Sequence, residues 1–191
     1  MRGFKVFVVA VVTATALSAA SSALAGSPVG DTLSSAAHGK GHGHRGDIVS
    51  FDVMYGVDGP FVAGNPVRGI IGDELPWTVA NSATGNLDTS GHLRIKVRGL
   101  VFKDDPSVPA DLRGINDESE FRGVVSCLTE GTSDTPVRNV FTHGFPATRS
   151  GDATIDAELE LPNPCVAPIV MVLAGTEDKW FAIAGFESEG D

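Results

Sequence analysis

Two segments of this chain alternate apolar and polar residues with a period of two, which limits the fold more tightly than any other feature. In His92-Leu93-Arg94-Ile95-Lys96-Val97-Arg98, Leu93, Ile95 and Val97 point one way, and His92, Arg94, Lys96 and Arg98 the other. Thr154 to Leu161 repeats the pattern, with Asp156, Glu158 and Glu160 on the polar side. A half-buried antiparallel strand needs this alternation, and a helix would need apolar residues at i, i+3, i+4 and i+7 instead. As neighbours, the two segments would set Arg94, Lys96 and Arg98 against Asp156, Glu158 and Glu160, and opposite charges across a strand pair help fix register.

Less regular runs extend the count. Ile48 to Val57, Trp77 to Ala83, Phe121 to Leu128, Val137 to His143 and Lys179 to Phe186 read as strands. Val67 to Ile71 is a weak candidate. Val166 to Ala174 is apolar throughout, as a strand covered on both faces would be. Clusters of Gly, Pro and Asp separate these runs. About nine short strands at this spacing predict an all-β fold, a single antiparallel β-sandwich of Ig-like or jelly-roll-like type. The expected core includes Phe51, Val53, Leu93, Ile95, Val97, Val125, Ile155, Leu159, Ile169, Met171 and Phe181. Lys103 to Glu120 reads as a long acidic connection, with room for a helical turn near Ala110 to Arg113.

The first 25 residues have a different character. Arg2 and Lys5 precede the apolar run Val6 to Leu17, and Ala23-Leu24-Ala25 follows a small-residue stretch. This is the pattern of a cleaved secretory leader, and at about 12 residues its apolar part falls short of the roughly 20 that span a bilayer. Export is therefore expected, to the cell envelope or the extracellular space, with no membrane span in the mature form. Residues 26–46, rich in Gly, Ser, Ala and His, read as a flexible linker because they can bury too little apolar surface to order themselves. The β domain then occupies residues 47–187, and 188–191 form a polar tail.

Two of the 14 basic residues lie in the leader, whereas all 24 acidic ones lie beyond it, so the exported part carries −12 against −10 for the whole chain. This balance excludes a nucleic-acid binder, which needs Lys and Arg to displace phosphate counterions. The chain has two cysteines, Cys127 and Cys165, both in the mature part. In an oxidising compartment an even pair reads as one disulfide.

Chemistry-bearing motifs are sparse. His38, His42 and His44, spaced by glycines, can wrap Cu(II), Ni(II) or Zn(II), and a metal-handling protein is one reading; the plainer one is a polar tether. Arg45-Gly46-Asp47 matches an integrin-type tripeptide, a pattern that recurs by chance. Arg94, Lys96 and Arg98 form a candidate stripe for an anionic ligand, against a solvated face with cross-strand ion pairs. The carboxylates of Asp104 to Glu120 could ligate Ca²⁺, although the EF-hand pattern is absent. Tyr55, Trp77, Trp180, Phe181 and Phe186 could line a sugar platform or fill the core. The motifs G-x-S-x-G, H-E-x-x-H and Walker A are absent, so no catalytic residue is assigned and no cofactor is expected. A hydrolase would have to assemble its site around His92 or His143.

Four segments taken together carry a resemblance: Leu75-Pro76-Trp77, Val97 to Val101, Phe121 to Leu128, and Leu161 to Val170. In order and wording they resemble a group of secreted bacterial proteins with no assigned activity. The resemblance covers roughly Leu75 to Gly185 and implies an exported β domain with Cys127 paired to Cys165. It implies no catalytic residues. The expected function is a non-enzymatic extracellular or envelope domain that binds a glycan or protein partner or serves a structural role.

Overall fold

The computed structural model describes residues 46–130 and 136–185. The fold there is all-β and built from antiparallel sheets, with no α-helix among the described residues. Eleven strands appear: β1 Asp47–Phe51, β2 Val53–Gly56, β3 Ile71–Gly72, β4 Trp77–Asp88, β5 His92–Phe102, β6 Glu120–Leu128, β7 Val137–Phe141, β8 Phe145–Pro146, β9 Ala153–Glu158, β10 Val166–Ala174 and β11 Lys179–Gly185. One sheet has the order β1-β4-β5-β9 and the other β2-β11-β10-β6-β7. Two short strands lie off the second path: β8 pairs β6, and β3 pairs β11 in the fold's one parallel pairing among the described residues.

The two alternating segments are neighbours. β5 pairs β9 with Arg94 opposite Asp156 and His92 opposite Glu158. Their apolar sides, Leu93, Ile95, Val97 and Ile155, are fully buried. The second alternation ends sooner than its sequence pattern, because β9 stops at Glu158.

Two strands come on top of the expected nine: the short β8, which pairs with β6, and one from a split run. The expected run Ile48 to Val57 breaks at exposed Asp52, and its halves join different sheets. The break also resets the alternation. Phe51 is buried as expected, but the next inward side chain is Met54, and Val53 is only partly covered. Ile169, also expected in the core, is likewise partly covered. Trp77 to Ala83 continues as a strand to Asp88, because the polar stretch beyond Ala83 pairs residue by residue with β5. No helix forms near Ala110 to Arg113, where hydrogen-bonded turns close instead.

The sheets meet through specific contacts. Trp77 of β4 stacks on Phe181 of β11 with centroids 4.0 Å apart, and Phe102 and Phe121 pack around the same indole. Gly123 of β6 faces Leu93 and Ile155, so closely that a Cβ there would lie 3.0 Å from Leu93. At one edge β2 crosses against β4, where a Cβ on Gly56 would fall 2.1 Å from the Trp77 carbonyl oxygen. Cys127 and Cys165 are joined by a disulfide, with Cα atoms 4.9 Å apart.

Gly123 pairs with Val172, and Val172 with Ala182, so these positions share the face turned toward β5 and β9. Met171, Leu173, Trp180, Ile183 and Tyr55 therefore occupy the opposite, outer face of the larger sheet. That face is covered. Residues 57–72 leave β2, run across it and return as β3. Val57 N–H donates to Phe181 O, and Asp73 N–H to Trp180 O, which ties both ends of this strap to β11. At its far turn Arg68 and Gly69 both have positive φ, between mutual Val67–Ile70 backbone hydrogen bonds, the geometry of a two-residue hairpin turn. Arg68 Nη2 donates to Ala167 O at 3.0 Å, and Asn139 Nδ2 of β7 donates to Arg68 O at 3.1 Å. Ile70 is buried beneath the strap, and Met171 and Leu173 are fully buried on the sheet below it.

Candidate functional site

The strap does not seal the whole face. Between it and the β2–β11 edge lies an open cleft of about 450 Å³. Its floor is Tyr55, Ile183 and Trp180 from the outer face, and its wall is Asp58, Phe61 and Val67 from the strap. Gly56, Trp77, Thr78 and Lys103 close one end. The size and the mainly aromatic and aliphatic lining with few polar groups are those of a small-molecule site.

Each wall residue has a local cause. Asp58 caps the short turn Gly59–Phe61 by accepting from Gly59 N–H at 2.8 Å, and this turn throws Phe61 over the sheet. Phe61 meets Trp180 at 6.0 Å between centroids. It stays 40 % exposed, and Tyr55 is 50 % exposed. Lys103, just beyond β5, ion-pairs with Asp58 across the end of the cleft. That hydrogen bond, followed by the Gly59 one, holds the Asp58 carboxyl below its ordinary range, and Asp58 in turn raises Lys103. Trp180 is almost wholly buried, yet its Nε1–H has no acceptor among the described residues. A buried donor in this state carries an uncompensated desolvation cost.

A second, smaller recess of about 210 Å³ gathers carboxylates: Asp73, Glu74, Asp117, Glu118 and Glu177 around Lys179. Lys179 Nζ bridges Glu74 and Glu177, each at 2.5 Å, which raises the lysine and lowers Glu74. Burial raises Asp73, although its Oδ2 accepts from Trp77 Nε1 at 2.8 Å. Glu118 is raised chiefly by burial and then by the charges of Asp117 and Glu177. Asp73 is occupied in holding Trp77, and Glu74 and Glu177 in holding Lys179.

The residues singled out in the sequence are dispersed. The basic stripe is divided. Arg94 binds Asp156, with Nη2 at 2.9 Å and Nε at 3.0 Å from Oδ2, and Arg98 donates to the carbonyls of Val97 and Ala153. Lys96 has no ion pair among the described residues. Asp156 also meets His92 Nε2 at 2.6 Å, and the two contacts, His92 first, lower its carboxyl. His92 thus has a carboxylate partner, but Ser90, two residues before it, spends its hydroxyl proton on Asp88 at 2.6 Å. His143 is exposed and stacks on Phe145.

In the acidic connection, Asp105 accepts from both the N–H and the hydroxyl of Ser107, and Asp104 lies 3.8 Å from Arg113. Among the described residues no group of three or more His, Cys, Asp or Glu side chains could hold a metal ion. His38, His42, His44 and Arg45 lie outside the described residues, as do the leader and Phe186. No helix among the described residues is long and apolar enough to cross a membrane.

The aromatic platform is split between two roles. Trp77 and Phe181 belong to the core between the sheets, and Tyr55 and Trp180 to the cleft. Sequence reasoning missed Phe61, Asp58 and Lys103. The Asp58-Gly59-Pro60 turn followed directly by an aromatic was the available signal. No protein-family model, characterised protein or solved structure matches the chain.

Proposed function

We propose that this chain is an exported bacterial binding domain. Residues 1–25 act as a cleaved leader and 26–46 as a tether, and the domain is a single antiparallel β-sandwich of Ig-like or jelly-roll-like type. It acts without catalysis, outside the cytoplasm, by holding an envelope or extracellular partner in the cleft beneath the strap. The two sheet orders, the β1–β2 crossing between sheets and the contacts of Trp77 and Gly123 across the interior support the sandwich. The disulfide and the resemblance across Leu75 to Gly185 support export.

The cleft carries the functional reading. Tyr55 of the sheet and Phe61 of the strap stand half-exposed in the cleft, and Trp180 on its floor has a buried N–H with no acceptor among the described residues.

Retention on isolated bacterial envelopes tests this. The wild-type exported chain and a Tyr55→Ala/Phe61→Ala variant are incubated with washed envelopes and pelleted. The wild type is expected in the pellet and the variant in the supernatant. Equal partition of the two, with matching circular dichroism spectra, refutes the reading.

A further inference from the structure

Resting on the cleft as the binding site, we infer that its ligand is a neutral saccharide ring. The lining contains one carboxylate and one ammonium, Asp58 and Lys103, already paired with each other. An anionic ligand would be repelled by Asp58 and a cationic one by Lys103, so a net charge of either sign works against one member of the pair. A neutral ligand keeps the pair. Tyr55 and Phe61 offer partly exposed aromatic surface, which favours a flat apolar surface against them.

Trp180 adds a requirement for an acceptor. Its Nε1–H is buried and unmatched among the described residues, so a ligand oxygen that reaches it, after a shift of the side chains now covering the nitrogen, restores a hydrogen bond lost on folding. At the far end the charged pair and the Thr78 hydroxyl call for groups that both donate and accept. A pyranose meets all three demands with its C–H face, its ring or hydroxyl oxygens and its hydroxyl edge. An acyl chain or a phenyl side chain would satisfy the rings but would desolvate Asp58 and Lys103 without return.

The test uses the exported chain on an array of bacterial and plant oligosaccharides, followed by titration calorimetry with the best-bound sugar. Binding is expected in the wild type and in Phe141→Ala, which removes an exposed aromatic outside the cleft. It should be lost in Tyr55→Ala. Trp180→Phe keeps a ring and removes the donor, so affinity should fall about three- to tenfold. No bound sugar up to about 10 mM, or binding indifferent to Tyr55→Ala, overturns the inference.

Repeating the envelope assay after periodate cleavage of sugar diols separates the two claims. Retention that needs Tyr55 but survives periodate overturns the saccharide and leaves the cleft standing. Retention indifferent to Tyr55 and Phe61 overturns both.

Discussion

Removing the Cys127–Cys165 bond is expected to cost about 4 kcal/mol. The cysteines are 38 positions apart, and the loop between them contains β7, β8 and β9, elements of both sheets. In the chain-entropy relation a closed loop of that length corresponds to about 13 cal/mol/K, or ~3.9 kcal/mol at 25 °C, withheld from the unfolded chain. The native state has little to lose in geometry. Leu128 and Val166, next to the two cysteines, are already register partners on β6 and β10. Urea unfolding of a Cys127→Ala/Cys165→Ala variant is the measurement. With a slope of about 2 kcal/mol/M the midpoint should fall by roughly 2 M. Because Cys127 is fully buried, the substitution also empties space in the core, whereas reduction of the wild type keeps the sulfur volume. Reduced wild type should therefore lie slightly above the variant and far below the oxidised protein. If it unfolds within about 0.5 M of the oxidised form, at an unchanged slope, the loop-entropy argument is wrong.

Two further changes probe the strap's anchor and the sheet crossing. Burial holds the Asp73 carboxyl above its ordinary value, so its contribution is complete at acid pH and is lost as pH rises through the raised folded value. Asp73→Asn keeps an oxygen for Trp77 Nε1 and should flatten the fall of Tm above about pH 4, leaving a residual slope from Glu118; an unchanged Tm–pH profile contradicts the burial argument. Gly56→Ala sets a Cβ 2.1 Å from the Trp77 carbonyl oxygen, a backbone atom that cannot turn aside, and should destabilise by about 1–3 kcal/mol in urea. Gly46→Ala, with open space around it, should stay within about 0.5 kcal/mol, and equal effects of the two would refute the close approach.

The parts of the fold visible in the sequence are those where one face is wet. Leu93, Ile95 and Val97 alternate with charges because water lies on the other side, and the same alternation in Thr154 to Glu158 carries charge of the opposite sign and pairs with it in register. Position 53 fails for a reason that no periodicity contains: at Asp52 the chain changes sheet, and the inward phase moves to Met54. Ala83 to Asp88 holds few strand-forming side chains and is a strand because β5 lies beside it with its hydrogen bonds available. The cleft was hidden more thoroughly. Tyr55, Phe61, Lys103 and Trp180 span more than half the domain, and only the strap's path brings them together. Of the aromatics singled out in the sequence, Tyr55 and Trp180 line it and Trp77 closes one end, but their core partners were indistinguishable by type.

The strap also links the stability of the larger sheet to its binding face. Val170 to Ala174 are buried on both sides of β10, which is possible only because residues 57–72 cover the outer one. Without that cover Met171 and Leu173 would face water, at roughly 1.5–3 kcal/mol for each side chain. The cover is fastened at its far end through Arg68 to Ala167 and Asn139, and near the cleft through the Asp58 pair with Lys103. These fastenings divide the labour. Ile70 and the Arg68 clamp hold the strap down over β10, and substitution there loosens the fold and the cleft together. Tyr55 and Phe61 stand at the open margin, half in solvent, and contribute less to that cover. Half-exposed rings at the margin of a cleft whose floor holds a buried donor with no acceptor among the described residues suit the contact surface of a ligand.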